Sequence, residues 1–218
     1  MTSLPLAIIF DFDGLLMDTE STMLASWRYE WQQWGLELEL TGFFADHGGD
    51  ITNQRYDVLS GAVGSTYDRE LSHQRRVRYR DQLHRSLDLA PGLRDWLDET
   101  ARLGIEAAVA SSSPRPWVAG HLERVGLLER FTVIATGDEV PRHKPAPDIY
   151  ELALTRLGIP ASDAIAVEDT AHGVTAAQAA GLRCIAIPNP FVDPGRVAHA
   201  DVVLTSAIDR SLSDVLQH

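Results

Sequence analysis

Two carboxylates one residue apart, in the run Asp11-Phe12-Asp13-Gly14, follow directly on the apolar stretch Leu6-Ala7-Ile8-Ile9-Phe10. A short stretch of this kind, bounded by Pro5 and Gly14, predicts a buried strand, and open α/β sheets bind ligands outside the carboxyl ends of their strands. Both acids therefore stand where a site is expected. Burying carboxylates together is unfavourable without a cation, because like charges about 4 Å apart repel by about 4 kcal/mol at an effective dielectric of about 20. The pair calls for a metal ion.

Three more clusters follow an apolar strand or its adjoining loop: Ser111-Ser112-Ser113, then Lys144, then Glu168-Asp169. Singly, each has an ordinary reading, since serines before a helix mostly cap it and Glu-Asp after a strand is often a solvated turn. Jointly they suit a phosphoryl site. Carboxylate oxygens favour Mg²⁺ over Zn²⁺, while a hydroxyl, an ammonium and free amides at a helix start favour a phosphoryl group. Of the 19 basic residues 18 are arginine, so Lys144 is the one lysine. A compact ammonium is not equivalent to the wide guanidinium fork used everywhere else in this chain.

The elements that must position these groups alternate. Strand-like runs at 105–110, 131–135, 164–167, 184–187 and 202–204 are separated by helical runs. Ser113-Pro114 predicts an N-cap with proline at N1 for a helix reaching about Val125. Helices are also predicted over 147–157, ending at Gly158, and over 174–180, stopped by Gly181. Such alternation implies an α/β fold, a doubly wound parallel sheet with right-handed crossovers. The stretch 17–87 breaks the rhythm: it is nearly free of strand patterns, helical in period and rich in Trp, Arg and Glu. It predicts an inserted helical subdomain, with 1–16 and 88–218 forming the α/β core and hinges near Asp18 and Pro91-Gly92.

The 218 residues can bury a real core, and 44% hydrophobic with 23% charged residues is ordinary for a folded chain. A net charge of −12 argues against nucleic acid, whose phosphates are gripped by many basic groups. No apolar run reaches membrane-spanning length, and the amino terminus lacks a positive region before its apolar run. Cys184 is the one cysteine, so no intrachain disulfide can form, and its flanks Ile185 and Ile187 predict a buried strand residue. These features predict a cytoplasmic protein with a small phosphorylated substrate as its partner, no nucleic acid, no membrane and no obligate protein partner.

Asp11-Phe12-Asp13-Gly14, Ser111, Lys144-Pro145-Ala146-Pro147-Asp148 and Glu168-Asp169-Thr170, with Gly173 and Ala179-Ala180-Gly181, resemble the four motifs of haloacid dehalogenase-type phosphohydrolases in order and spacing. The insert after the first motif resembles the small helical cap of that family's β-phosphoglucomutase-like and sugar-phosphatase branch. The resemblance implies that Asp11 attacks phosphorus and becomes an aspartyl phosphate, and that Asp13 protonates the leaving oxygen and then deprotonates water. It further implies Mg²⁺ held by Asp11, the Asp13 main-chain carbonyl and Asp169, with Glu168 close by or just behind. Ser111, its neighbour Ser112 and Lys144 would bind the non-transferring phosphoryl oxygens.

Departures narrow the reaction. A dehalogenase would not need Asp13, and the cap lysine of a phosphonate hydrolase is absent. Where the mutase carries a hinge histidine, four residues after the Asp18-Thr19 pair, this chain has Met23. The expected activity is phosphatase; the alternative is a sugar phosphomutase. A signalling receiver domain shares the residue types, but it places its acidic pair first and its lysine last. A catalytically dead binding protein on the same fold would have lost a carboxylate or the lysine, and both are present.

Within 17–87, His47-Gly48-Gly49-Asp50 falls where family caps carry a substrate loop, so His47, Gly48 and Arg55 are candidate substrate contacts. Trp27, Trp31 and Trp34 recur with Leu24 at helical spacing and read as cap core before they read as a sugar floor. Arg75, Arg76, Arg78 and Arg80, among Glu and Asp, read as a solvated helix face. His143 has no ligand-spaced histidine beside it and is not expected to bind metal.

Overall fold

Six strands, β1 (Ala7–Phe10), β2 (Glu106–Ser111), β3 (Val133–Thr136), β4 (Ala164–Glu168), β5 (Arg183–Ala186) and β6 (Val202–Val203), pair in parallel in the order β3-β2-β1-β4-β5-β6. The structure is a computed structural model describing residues 4–41, 43 and 51–217. From β1 the chain builds outward through β2 and β3, then returns to the other side of β1 for β4, β5 and β6. The strand order thus reverses at β1, which is where open sheets of this kind bind ligands. Register makes the consequence specific. Phe10 is level with Val109 of β2 and Val167 of β4, so Asp11, Ser111 and Glu168 all emerge at the carboxyl end of the sheet.

The strands are continuously apolar because both faces are covered. Ala7, Ile8, Ile9 and Phe10 are all fully buried, as a parallel sheet between helical layers requires. On one face, Ile149, Tyr150 and Ala153 of α6 (Asp148–Leu157) and Val174, Ala176 and Ala177 of α7 (Ala171–Ala179) pack with Ala7, Ile9, Ala108, Ala166 and Cys184. Cys184 is fully buried there, as its flanks predicted.

Two compact units divide the chain, one of residues 1–18 and 88–218, the other of residues 19–87. Met17 stays with the α/β unit because it bridges both Asp13 and Leu89. Helix α4 (Leu93–Leu103) and the short α8 (Leu212–Leu216) complete that unit together with α5 (Arg115–Arg124). One cap prediction fails: α5 starts after Pro114, with no side-chain cap, and the Ser113 hydroxyl is used elsewhere. Helix α7 starts three residues earlier than its apolar pattern, because the Thr170 hydroxyl accepts from the Gly173 amide and caps it.

The second unit holds α1 (Thr19–Gln33), α2 (Thr52–Val63) and α3 (Arg69–Arg85). Trp27 and Trp31 are buried, as core residues of that unit. Helices α1 and α3 meet largely through polar side chains one turn apart, with the rings of Tyr29 and Tyr79 stacked 4.1 Å apart beside them. Ser72 donates to Glu30 at 2.6 Å, Arg76 donates to the Ser26 hydroxyl at 3.4 Å, and Thr22 and His84 are hydrogen-bonded at 2.9 Å. This overturns the solvated-face expectation for Arg75 and Arg76. Arg75 pairs with the fully buried Glu30 at 2.7 Å; Arg76 is buried over the Trp27 ring, 4.4 Å from its centre, and donates to the Tyr56 hydroxyl. Stacking on aromatic rings lets a guanidinium be buried at lower cost than an ammonium. Among the described residues no helix is long and apolar enough to cross a membrane.

Candidate active site

Asp11 follows β1 and is anchored by its own amide, which donates to the Val167 carbonyl at 2.9 Å. Its carboxylate receives a hydrogen bond from the Lys144 ammonium. Lys144 also donates to Glu168 at 2.5 Å and to the Ala110 carbonyl at 2.9 Å. Three donors and three acceptors are thereby matched, from three strand ends and the loop before α6, and the lysine side chain is only 7% exposed. Lys144 is therefore a buried site residue and not a surface-loop side chain. Burial works against its charge, but Asp11 and Glu168 outweigh that cost and hold the ammonium above its ordinary range.

Glu168 is fully buried and carries further donors. The Tyr150 hydroxyl donates to it at 2.5 Å, and the Asp169 amide at 3.2 Å. Gly173 lies against the same carboxylate so closely that a Cβ there would collide with it. Asp169 in turn accepts from the Asn189 amide nitrogen at 2.7 Å, while Asn189 is fixed by accepting from the Phe191 amide at 2.9 Å. The loop after Asp11 folds tightly over this pair: Gly14 donates to the Met17 carbonyl at 2.8 Å with φ +83°. A side chain at Gly14 would be strained by that φ and would also strike the Asp169 carboxylate.

One oxygen from each of Asp11, Glu168 and Asp169 lies within 4.8 Å of the others, and all three residues are buried. At that separation or closer each pair repels by about 3.5 kcal/mol at an effective dielectric of about 20. A single ammonium leaves the site two charges in excess. The imbalance is visible in the proton affinities. Burial, then Glu168 and Asp13, push Asp11 up to about 8 against the pull of Lys144, and burial with Asp11 and Glu168 pushes Asp169 well above the carboxylate range. A divalent cation is the simplest group that would let all three ionise, and an all-oxygen donor set suits a hard one.

Asp13 is not in that cluster through its side chain. Its carboxylate turns to the β2–α5 connection, where Ser113 donates at 2.6 Å and the Trp117 indole N–H at 2.9 Å. Ser111, 1% exposed, reaches the same carboxylate only at 3.5 Å, and its oxygen accepts from the Ser113 amide at 3.0 Å. Ser112 is exposed at the mouth of this connection. The structure thus brings Asp11, Lys144, Glu168, Asp169, Asp13 and Ser111 to one end of the sheet. Arg55 lies in the helical unit, donating to the Phe43 carbonyl at 2.9 Å and stacked 4.1 Å over the Phe43 ring. His47 and Gly48 lie outside the described residues.

Sequence reasoning missed Tyr150, Asn189 and Trp117, and read Ser113 as part of the serine cluster and as a helix cap without seeing that it donates to Asp13. Tyr150 stands in the first turn of α6, just after the Lys144 loop, and α6 packs on β2 and β3. Asn189, in Pro188-Asn189-Pro190 after β5, occupies a strand end like the other site residues.

Comparison with known proteins accords with this geometry. YhcW of Bacillus subtilis (strain 168) is 33% identical over 213 residues, covering 97% of this chain and 96% of its own. The phosphorylated carbohydrates phosphatase of Thermotoga maritima is 30% identical over 185 residues, 82% of this chain and 83% of its own. The solved structure of a CbbY variant from Rhodobacter sphaeroides, in complex with xylulose-(1,5)bisphosphate, superposes with a TM-score of 0.74 at 29% identity, over 96% of this chain and 98% of that one. The family of haloacid dehalogenase-like hydrolases matches residues 8–187. With its sheet order, its four strand-end clusters and that match, the chain belongs to the haloacid dehalogenase-like hydrolases.

Proposed function

We propose that this hydrolase is a Mg²⁺-dependent phosphatase of small phosphorylated metabolites, sugar phosphates foremost, working through an aspartyl phosphate on Asp11. The observation that carries the reading is Lys144, buried and bridging Asp11 and Glu168 beside Asp169 at the strand ends. That arrangement supports a site whose two excess negative charges a divalent cation would balance, so that a phosphoryl group could be met by the cation and the Lys144 ammonium together. The names of the Thermotoga phosphatase and the ligand of the CbbY variant support the sugar-phosphate class.

On this reading the ion is held by Asp11, Asp169 and the Asp13 carbonyl, with Glu168 behind them, and when bound it would neutralise the phosphoryl oxygens. Asp11 attacks phosphorus in line, and the P–O bond to the leaving group breaks. Asp13 delivers a proton to that leaving oxygen and later takes one from the water that cleaves the acyl phosphate. Lys144 and the hydroxyl of Ser111, with Ser112 at the mouth, bind oxygens that stay on phosphorus. The helical unit of residues 19–87 serves as a cap that selects the organic half of the substrate, with His47, Gly48 and Arg55 as candidate contacts. A reducing, cytoplasmic setting fits the single buried Cys184.

The test is phosphate release from a panel of sugar phosphates and other phosphomonoesters, with Mg²⁺ and after chelation, for wild type and Asp11→Asn. The expected result is release that matches substrate consumed, stops on chelation and is lost in the variant. Full activity after chelation would overturn the metal, and conversion of a hexose 1-phosphate to its 6-phosphate without net release would favour the mutase.

A further inference from the structure

The side chain of Asp13 makes no ion pair with a basic residue among the described residues. Two donors from a single segment hold it instead: Ser113 Oγ on Oδ2 at 2.6 Å and Trp117 Nε1 on Oδ1 at 2.9 Å. The indole is itself wedged. His121, four residues on along α5, lies 4.3 Å from it ring to ring and is hydrogen-bonded through Nδ1 to the Trp117 carbonyl at 2.9 Å. His121 in turn meets, edge to face at 6.0 Å, the ring of Phe12, the fully buried residue between the two acids. Phe12, His121, Trp117 and Asp13 therefore close a ring of contacts in which the position of α5 sets the direction of the Asp13 carboxylate.

The geometry points to Trp117 as the positioning residue of Asp13: it fixes the carboxylate in one rotamer at the site's edge, apart from the Asp11–Glu168–Asp169 cluster, so that its proton transfer is spent on the leaving oxygen and on water. An indole N–H is a donor only and cannot exchange roles as a hydroxyl can. It therefore holds orientation without competing for the proton. This inference rests on the phosphatase reading for its catalytic consequence, and on the 2.9 Å indole–carboxylate geometry for the contact.

The experiment uses the full chain as Trp117→Phe, which keeps a ring for His121 to pack on, and Ser113→Ala as a second variant. Steady-state kcat/KM is measured with phenyl phosphate, whose leaving group is basic and needs a proton, and with p-nitrophenyl phosphate, whose leaving group does not. Trp117→Phe is expected to lose about tenfold on phenyl phosphate and under about threefold on p-nitrophenyl phosphate, with no further loss when Asp13 is already Asn. Ser113→Ala should show the same leaving-group pattern. Equal losses on both esters, or an undiminished loss in the Asp13→Asn background, would overturn the assignment. The contact has its own readout: the Trp117 indole N–H resonance, identified by its absence in Trp117→Phe, should shift in Asp13→Asn. An unmoved resonance overturns the contact itself. If neither ester is turned over by wild type, the resonance alone decides whether Trp117 holds Asp13, and the phosphatase reading stands or falls on the sugar-phosphate panel.

Discussion

Replacing Tyr150 by Phe removes a single oxygen from the core of the α/β unit, and the structure allows its cost to be worked out. The residue is fully buried and its hydroxyl donates to Glu168 at 2.5 Å; burial and the neighbouring carboxylates push the phenol well above its ordinary range, so it remains a donor at any working pH. The ring stays in place in Tyr150→Phe, so the packing of α6 on the sheet survives and the cavity left is about one atom. What is lost is a hydrogen bond to a charged acceptor, worth roughly 1.5–3 kcal/mol when the acceptor stays buried. Lys144 still serves Glu168 at 2.5 Å, which places the expected loss near the lower end, about 2 kcal/mol. For a chain of this size that is a fall in Tm of about 4–8 °C. Urea unfolding in the presence of chelator would measure it without metal linkage. The reasoning predicts that the loss shrinks when Glu168 is already Gln, because the charge that made the bond strong is gone. A Tyr150→Phe protein as stable as wild type within about 0.5 kcal/mol would show that the hydroxyl does not hold Glu168, and the account of how Lys144 is positioned would fall with it.

Gly173→Ala should destabilise, although alanine normally improves a helix interior by about 0.5–1 kcal/mol, because the added Cβ meets a Glu168 carboxylate that Lys144, Tyr150 and the Asp169 amide hold in place. Chemical denaturation checks the sign: a gain in stability would mean that Glu168 moves freely. In chelator, stability should fall as pH rises. Asp11 is held at about 8 against an ordinary 3.8, so its stabilising contribution is fully present below about 4 and is lost as pH climbs through 8. Mg²⁺ should therefore raise Tm more at pH 8 than at pH 5.5, and an equal rise at both pH values in thermal melts would contradict ionised carboxylates as the ligands.

What could be read in the chain before its fold was known was the set of groups that sit at strand ends, because a strand end has a plain sequence signature and a plain consequence. Asp11, Ser111 and Asp169 needed only an apolar run before them to be placed, and Lys144 stood out by being the one ammonium in an arginine-rich chain. The residues that aim those groups were harder to see because they lie on helices, where an aromatic residue has an equally good reason to be core. Tyr150 and Trp117 are both core-like in pattern, and each differs from its neighbours only in the polar atom at the tip of the ring. Ser113 failed for a related reason, since a hydroxyl ahead of a proline can cap a helix or reach a carboxylate across a loop, and local sequence does not say which acceptor is nearer.

The helical unit teaches the reverse lesson about charge. In α3 the positions that repeat every four residues, Ser72, Arg76, Arg80 and His84, are polar throughout, and three of them are buried. A run of arginines among acids normally signals a face in water, but beyond Tyr79, stacked on Tyr29, this helix has little apolar surface to turn to α1 in its place. Once a helix must pack and offers a mostly polar face, the partner has to supply acceptors and rings at the matching spacing. Thr22, Ser26 and Glu30 of α1 recur at the same four-residue interval, with Trp27 beside them, and they are the groups that receive α3. The signal was therefore present as a pair of matched polar repeats in two helices, and it is legible only when the two are read against each other.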